Sequence, residues 1–381
     1  MIKSINWIKV LIINLIIIFA LLGMILLAPP VVVGAYKVIG AYKILPDTNT
    51  VLKNTSKSSL ELYSNYDWAE KFFKEFNQIR SKYYDYVTWR FSDYNGDTIN
   101  IINGLRRSDN SININNQIKN YWFFGGSTTW GYGVNDEYTY PSLFARATNN
   151  QVINFGGPGY IARQSLAYFN NYLVRNEVRD MSNTHVVFYD GVNDIAQRCR
   201  SEIKGLGTGR QDRLRTQLRT KSSEPFTYER TFGQVKDFLN AIIRIFRSEV
   251  SIQVSKKMYS CSSNNERAQE IANTLVNTWQ VASDLARSRG GKFTAILQPV
   301  AYYSDANVGY LKLNSSNDKS MSEQYKAVYP LIIEAANIRN IEFIDLTKIY
   351  DDCNNCYIDF CHVGPQGHHI LTSRLVYELI N

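Results

Sequence analysis

From residue 119 onward the sequence predicts an α/β fold, a parallel sheet with helices on both faces. Two periodicities and one compositional signal carry that expectation. Short apolar runs recur at 121–125, 151–156, 185–191, 293–299 and 341–346. Segments with apolar residues at helical spacing lie between and after them, at 141–149, 162–178, 265–291, 322–340 and 366–380. Turns rich in glycine and asparagine follow several runs, and the ends of parallel strands are where open α/β sheets keep their ligands. The expected sheet resembles the flavodoxin-like arrangement.

In chain order, the first element is an uncharged run. Residues 10–35, between Lys9 and Lys37, carry no charge. An apolar run of more than roughly 18 residues can span the hydrocarbon core as a helix. A cleaved signal peptide is the alternative, but its apolar region is usually about 7–15 residues. We therefore expect an N-terminal transmembrane helix within a retained anchor at 1–36, with Pro29 and Pro30 near its far end. Lys3 and Lys9 precede it, whereas Lys37, Lys43, Lys53 and Lys57 follow it, so the positive-inside count does not favour an outside domain. Residues 37–60 are polar and read as a linker. The stretch 67–84 has helical apolar spacing, and in 86–108 alternating residues flank "NGD", a hairpin signal. Residues 37–118 are thus expected to form a linker and accessory helix and hairpin ahead of a main domain at 119–381.

That main domain carries an insertion, 198–264. The net charge of the 381 residues is +8, and between Arg198 and Lys221 six arginines and two lysines face only Glu202 and Asp212. The segment is either a solvated insertion or a surface for anionic lipid headgroups or an acidic polymer. No nucleic-acid motif accompanies it, so a nucleic-acid partner is not expected. At 231–246, Val235, Phe238, Leu239, Ile242, Ile243 and Phe246 share one helical face, for packing on the body, a lid or bilayer contact. Five cysteines leave one unpaired if disulfides form. Cys353 and Cys356 in "CNNC" suit a local disulfide or plain thiols. With no second such pair, a metal site is not expected.

Chemistry-bearing residues follow the strands. Ser127 follows the first run, Asn154, Gly156, Gly157 and Gly159 the second, and Asn193 the third. Gln298 and Pro299, after the fourth, are candidates to line the pocket. Asp359 and His362 follow the fifth. A serine hydroxyl needs a base within hydrogen-bond reach; His362 can take its proton, and Asp359 can hold the other ring nitrogen. The backbone N–H groups of Ser127 and Gly159 and the Asn193 side-chain amide suit an oxyanion hole, with glycine at 159 letting the backbone approach without a Cβ. His368 and His369 are expected to face solvent or cap the final helix, and His185 to be structural.

These four blocks, "FFGGSTTWG", "NFGGPG", "GVND" and "DFCH", resemble those of the SGNH hydrolases, or GDSL-type esterases, over about residues 119–381. The resemblance implies a nucleophilic Ser127, oxyanion donors at Ser127, Gly159 and Asn193, and a triad completed by Asp359 and His362, with no cofactor. One departure is Gly126, where many members carry Asp. "GGSTTWG" is similar to a membrane-anchored bacterial branch associated with envelope polysaccharides, whose members often carry an upstream Gly-x-Arg, here Gly104-Leu105-Arg106. That likeness implies a catalytic domain outside the cytoplasm, periplasmic or extracellular, and envelope polysaccharide enzymes as partners. The expected activity is removal or transfer of a small acyl group, acetyl, on a cell-envelope glycan. A lipid-acting esterase or lysophospholipase, and a catalytically silent glycan-binding or assembly subunit, remain the alternatives.

Overall fold

The computed structural model describes residues 62–109, 119–203, 205, 207–209, 211, 258–313 and 315–380. All belong to one compact unit formed by Thr55–Thr216 and Lys256–Asn381. The expected anchor, the linker up to residue 61, most of the basic segment and the apolar helix at 231–246 lie outside the described residues. Among the described residues, no helix is long and apolar enough to cross a membrane.

Helix α1 (Ala69–Phe76) opens the described chain. It is shorter than the helical spacing of 67–84 predicts. Its continuation, β1 (Ser81–Tyr84), pairs antiparallel with β2 (Thr88–Phe91). The expected turn at Asn95-Gly96-Asp97 is present: β3 (Tyr94–Asn95) pairs antiparallel with β4 (Asn100–Ile102). The Glu75 carboxylate of α1 accepts the backbone N–H groups of Asp97, Thr98 and Ile99 at 2.9–3.1 Å, fixing that turn to the helix. A second hairpin, at Asn103-Gly104, leads into β5 (Leu105–Arg106).

Five parallel strands form the centre of the unit: β6 (Asn120–Gly125), β7 (Gln151–Asn154), β8 (Thr184–Asp190), β9 (Lys292–Leu297) and β10 (Phe343–Asp345). Each coincides with a predicted apolar run. Their spatial order is β10-β9-β8-β6-β7. Counted by strand from the β7 edge, this is the 2-1-3-4-5 flavodoxin-like order. The sheet is not purely parallel, because β5, β4 and β3 extend it beyond β7 as antiparallel strands. The part of the accessory segment that holds β3–β5 is therefore continuous with the main sheet, whereas β1 and β2 form a separate two-stranded sheet. The junction is a single residue pair, Arg106 with Asn154, too brief to leave a periodic pattern.

Helices cover both faces, as strand alternation demands. On one face Trp122, Phe124, Val186 and Phe188 pack with α4 (Ala162–Arg175), α6 (Asn265–Arg287) and α7 (Ser316–Ile338). On the other, Tyr121, Phe123, Val187 and Tyr189 pack with α3 (Tyr140–Thr148) and α8 (Pro365–Ile380). Phe124 and Phe155 stack at 4.3 Å between centroids, and both are fully buried. Truncating such a ring to Ala costs about 3–5 kcal/mol. Two short helices, α2 (Ser127–Trp130) and α5 (Val192–Arg198), begin directly after β6 and β8. A disulfide between Cys199 and Cys261 links the end of α5 to the approach to α6 and closes the base of the insertion. Cys353 pairs locally with Cys356, and Cys361 is a buried free thiol.

Candidate active site

The apolar run at 121–125 ends in a sharp strand-to-helix turn. Its side chains enter the two cores, and the chain then reverses so that Ser127 is the first residue of α2. The turn is closed by Trp130 N–H donating to Gly126 O at 3.1 Å and Gly131 N–H donating to Ser127 O at 2.9 Å. The Ser127 side chain is left partly exposed at the carboxyl end of the sheet. Its backbone N–H is the first of a helix, where no intrahelical acceptor exists.

Residues 235 positions apart meet there. Ser127 Oγ lies 2.6 Å from His362 Nε2. His362 Nδ1 lies 2.5 Å from Asp359 Oδ2. The other Asp359 oxygen, Oδ1, accepts the N–H groups of Cys361 and His362, both at 2.8 Å. Burial alone would raise the Asp359 carboxyl. The facing His362 imidazole and the two backbone donors outweigh burial and hold it at about 2. Asp359 is thus kept ionised and can fix the imidazole tautomer that leaves Nε2 free to accept from serine. The Tyr132 ring lies 4.5 Å from the imidazole between centroids, walling it on one side. Asp359, Cys361 and His362 each place a ligand-type atom within 4.8 Å of the others. The carboxylate is already bonded to the imidazole, and the imidazole to Ser127, which is an acid–base arrangement. Burial pushes the Cys361 thiol well up, away from thiolate character.

Of the oxyanion candidates, Asn193 lies against Gly126, the residue before the serine. Asn193, on α5, donates from Nδ2 to Tyr160 O at 2.9 Å. One helical turn later, Gln197 donates to Gly159 O at 3.3 Å. Two amides on one face of α5 thus hold consecutive carbonyls of the turn after β7. Gly159 has φ +69°, and a Cβ there would meet only Gln197 at 3.5 Å, an ordinary contact. Its left-handed backbone conformation favours glycine. Gly126 is the reverse case. A Cβ there would stand 2.5 Å from Asn193 Nδ2.

Other sequence candidates act as braces or lie deeper than expected. Gln298 is 3% exposed and does not line an open pocket; its amide donates to Thr128 Oγ1 at 2.9 Å, tying β9 to α2. Pro299 is buried. Asn154 donates to Thr129 O at 2.9 Å and accepts from Gly156 N–H at 2.9 Å. His185 is buried against Thr294 Oγ1 at 2.8 Å, and burial brings it down to about 4. His369 is exposed, as expected, but His368 is fully buried and accepts Tyr140 N–H at 3.1 Å. The helical face of α8 that meets α3 carries it inward. Contacts from the accessory hairpins gave no sequence signal. Trp89 Nε1 donates to Pro158 O at 3.0 Å, and Gln164 Nε2 donates to Val87 O at 2.8 Å, so β2 and its approach grip the turn that bears Gly159.

No protein-family model and no curated protein matches the chain. Solved structures do. A member of the lipolytic protein G-D-S-L family from Veillonella parvula is 14% identical, with 69% of this chain and 99% of that one covered at a TM-score of 0.37. A carbohydrate acetylesterase from Sinorhizobium meliloti is 13% identical, with 69% and 98% covered at 0.37. An alpha/beta hydrolase enzyme from the metagenome of Lake Arreo is 12% identical, with 68% and 94% covered at 0.36. These likenesses are distant, and the chemistry of the site rests on its own geometry.

Proposed function

We propose that this protein is a serine esterase of the SGNH type that removes or transfers a small acyl group, acetyl on a cell-envelope glycan. The observation that carries the reading is the unbroken chain Ser127 Oγ–His362 Nε2–His362 Nδ1–Asp359 Oδ2, at 2.6 and 2.5 Å. Ser127 Oγ attacks the acyl carbonyl carbon while its proton passes to His362 Nε2. The resulting oxyanion is stabilised by the Ser127 and Gly159 N–H groups and by the Asn193 amide. Collapse expels the sugar oxygen, which takes the proton from His362, and leaves an acyl-serine. Water, or an acceptor hydroxyl in the transferase version, then gives His362 its proton and attacks the acyl-serine, restoring the serine. A catalytically silent subunit has no need of this hydrogen-bond chain. The lipid-acting alternative draws on the basic segment, mostly outside the described residues, and on the apolar helical spacing of 231–246, wholly outside them.

The same reading puts the domain outside the cytoplasm, on a retained N-terminal anchor. The uncharged run at 10–35 and the two disulfides support this, since disulfides persist in oxidising compartments. Protease added to intact spheroplasts is expected to digest the catalytic domain, and full protection would overturn the placement. For the activity, a serine-directed phosphonate is expected to label Ser127. A panel of acetylated sugars against short and long acyl esters should show release of acetate from the sugars. Absence of both label and turnover would refute the esterase, and preference for long acyl chains would move the reading to lipid.

A further inference from the structure

The nucleophile sits on a helix too short to hold itself. α2 has four residues, a single turn, and a helix of that length has no stability of its own in water. What keeps Ser127 Oγ within 2.6 Å of His362 must therefore come from outside the turn. Arg106, at the end of the accessory strand β5, supplies much of it. Its side chain is 0% exposed. Nη1 donates to Trp130 O at 3.1 Å and to Gly131 O at 2.6 Å, and Nη2 donates to Val134 O at 2.7 Å. Nε donates to Asp136 Oδ1 at 2.9 Å, and the guanidinium lies 4.2 Å from the Trp130 ring centroid. The single pair that joins β5 to the main sheet sets Arg106 opposite Asn154, whose amide holds Thr129 O. Two neighbouring side chains thus take the carbonyls at the end of α2 and in the loop beyond.

Resting on the esterase reading, we propose that Arg106 is a positioning residue for the nucleophile. By fastening the end of the Ser127 turn, it holds the serine in attack geometry without touching substrate. The antiparallel strands that extend the sheet are then part of the catalytic apparatus. Arginine suits this task because a rigid fork of donors reaches several carbonyls at once, which the point charge of lysine does not.

Two variants test this. Arg106→Lys keeps the charge facing Asp136 but loses the fork. Arg106→Gln with Asp136→Asn removes both charges, so that no buried ion is left alone. In each, kcat on a small acetyl ester is expected to fall about 10²-fold, the scale of an ångström-level misplacement, with KM within a few-fold. Backbone amide exchange over 127–134 should accelerate while exchange over β8, 184–190, stays at the parent rate. Parent-like kcat in both variants, or unchanged exchange over 127–134, overturns the proposal. So does acceleration that is equal across β8, since that is general loosening. The exchange measurement needs no turnover. A parent protein without ester turnover or Ser127 labelling would refute the esterase reading alone, and exchange would still decide whether Arg106 holds the turn.

Discussion

Replacing Gly126 by Ala adds one methyl group at the point where Ser127 and Asn193 meet. Gly126 has φ −80° and ψ −153°, an extended conformation open to any residue, so the backbone itself raises no objection. The objection is the neighbour. The new Cβ would stand 2.5 Å from Asn193 Nδ2, whereas ordinary contact begins at 3.4 Å, so the amide must retreat by about 0.9 Å. Asn193 is held on a helix and bonded to Tyr160 O at 2.9 Å, and a shift of that size breaks this bond or carries the amide away from the oxyanion. Losing one oxyanion donor typically lowers kcat by ~10²–10³. Gly126→Ala is therefore expected to match Asn193→Ala in kcat on a small acetyl ester, with KM little changed because the charge develops only in the transition state. The two substitutions should not be additive, because they remove the same donor. The double variant should turn over like Asn193→Ala alone. Turnover of Gly126→Ala within a few-fold of the parent, or multiplied losses in the double variant, would refute the reasoning that Asn193 is the donor and Gly126 its clearance.

Ser127→Ala and His362→Ala should each lower kcat by about 10⁶-fold, on the scale of single losses within a serine–histidine pair, and the double variant should be no worse; steady-state kinetics on the same ester check this. Asp359→Asn should cost about 10⁴-fold through the wrong imidazole tautomer, with folding retained. Because the Asp359 carboxyl is held at about 2, below its ordinary 3.8, its contribution to stability is complete above about pH 4 and is lost as pH falls toward 2. Denaturation midpoints of the parent should therefore drop more steeply over that window than those of Asp359→Asn. The Cys199–Cys261 disulfide spans 62 residues, and a loop of that length contributes about 4 kcal/mol by chain entropy. Serine at both positions should lower the urea midpoint accordingly while small-ester turnover persists, since the triad bonds do not pass through either cysteine.

The sequence by itself determined the parts of this protein that depend on close neighbours. The five central strands are legible because residues such as Tyr121 to Phe124 must serve two cores alternately, and the intervening helices because their apolar faces repeat every three to four residues. Ser127 and Asn193 are legible because each stands just past a strand, in a turn whose composition differs from its surroundings, whereas Asp359 and His362, 14 and 17 residues beyond the end of β10, are legible as an Asp-x-x-His pair ahead of the last helix. Tertiary structure alone decided what connects distant segments. That the strands of 94–106 continue the main sheet turns on one pair, Arg106 with Asn154, and a single pair has no period to detect. The burial of His368 depends on which face of α8 meets α3. The reason for glycine at 126 depends on an amide 67 positions further along the chain, and the reason at 159 depends on a backbone angle. Local composition records the torsional and burial preferences of neighbouring residues. It does not record a close approach between segments far apart in the chain, because each segment alone is compatible with many partners and only packing selects one.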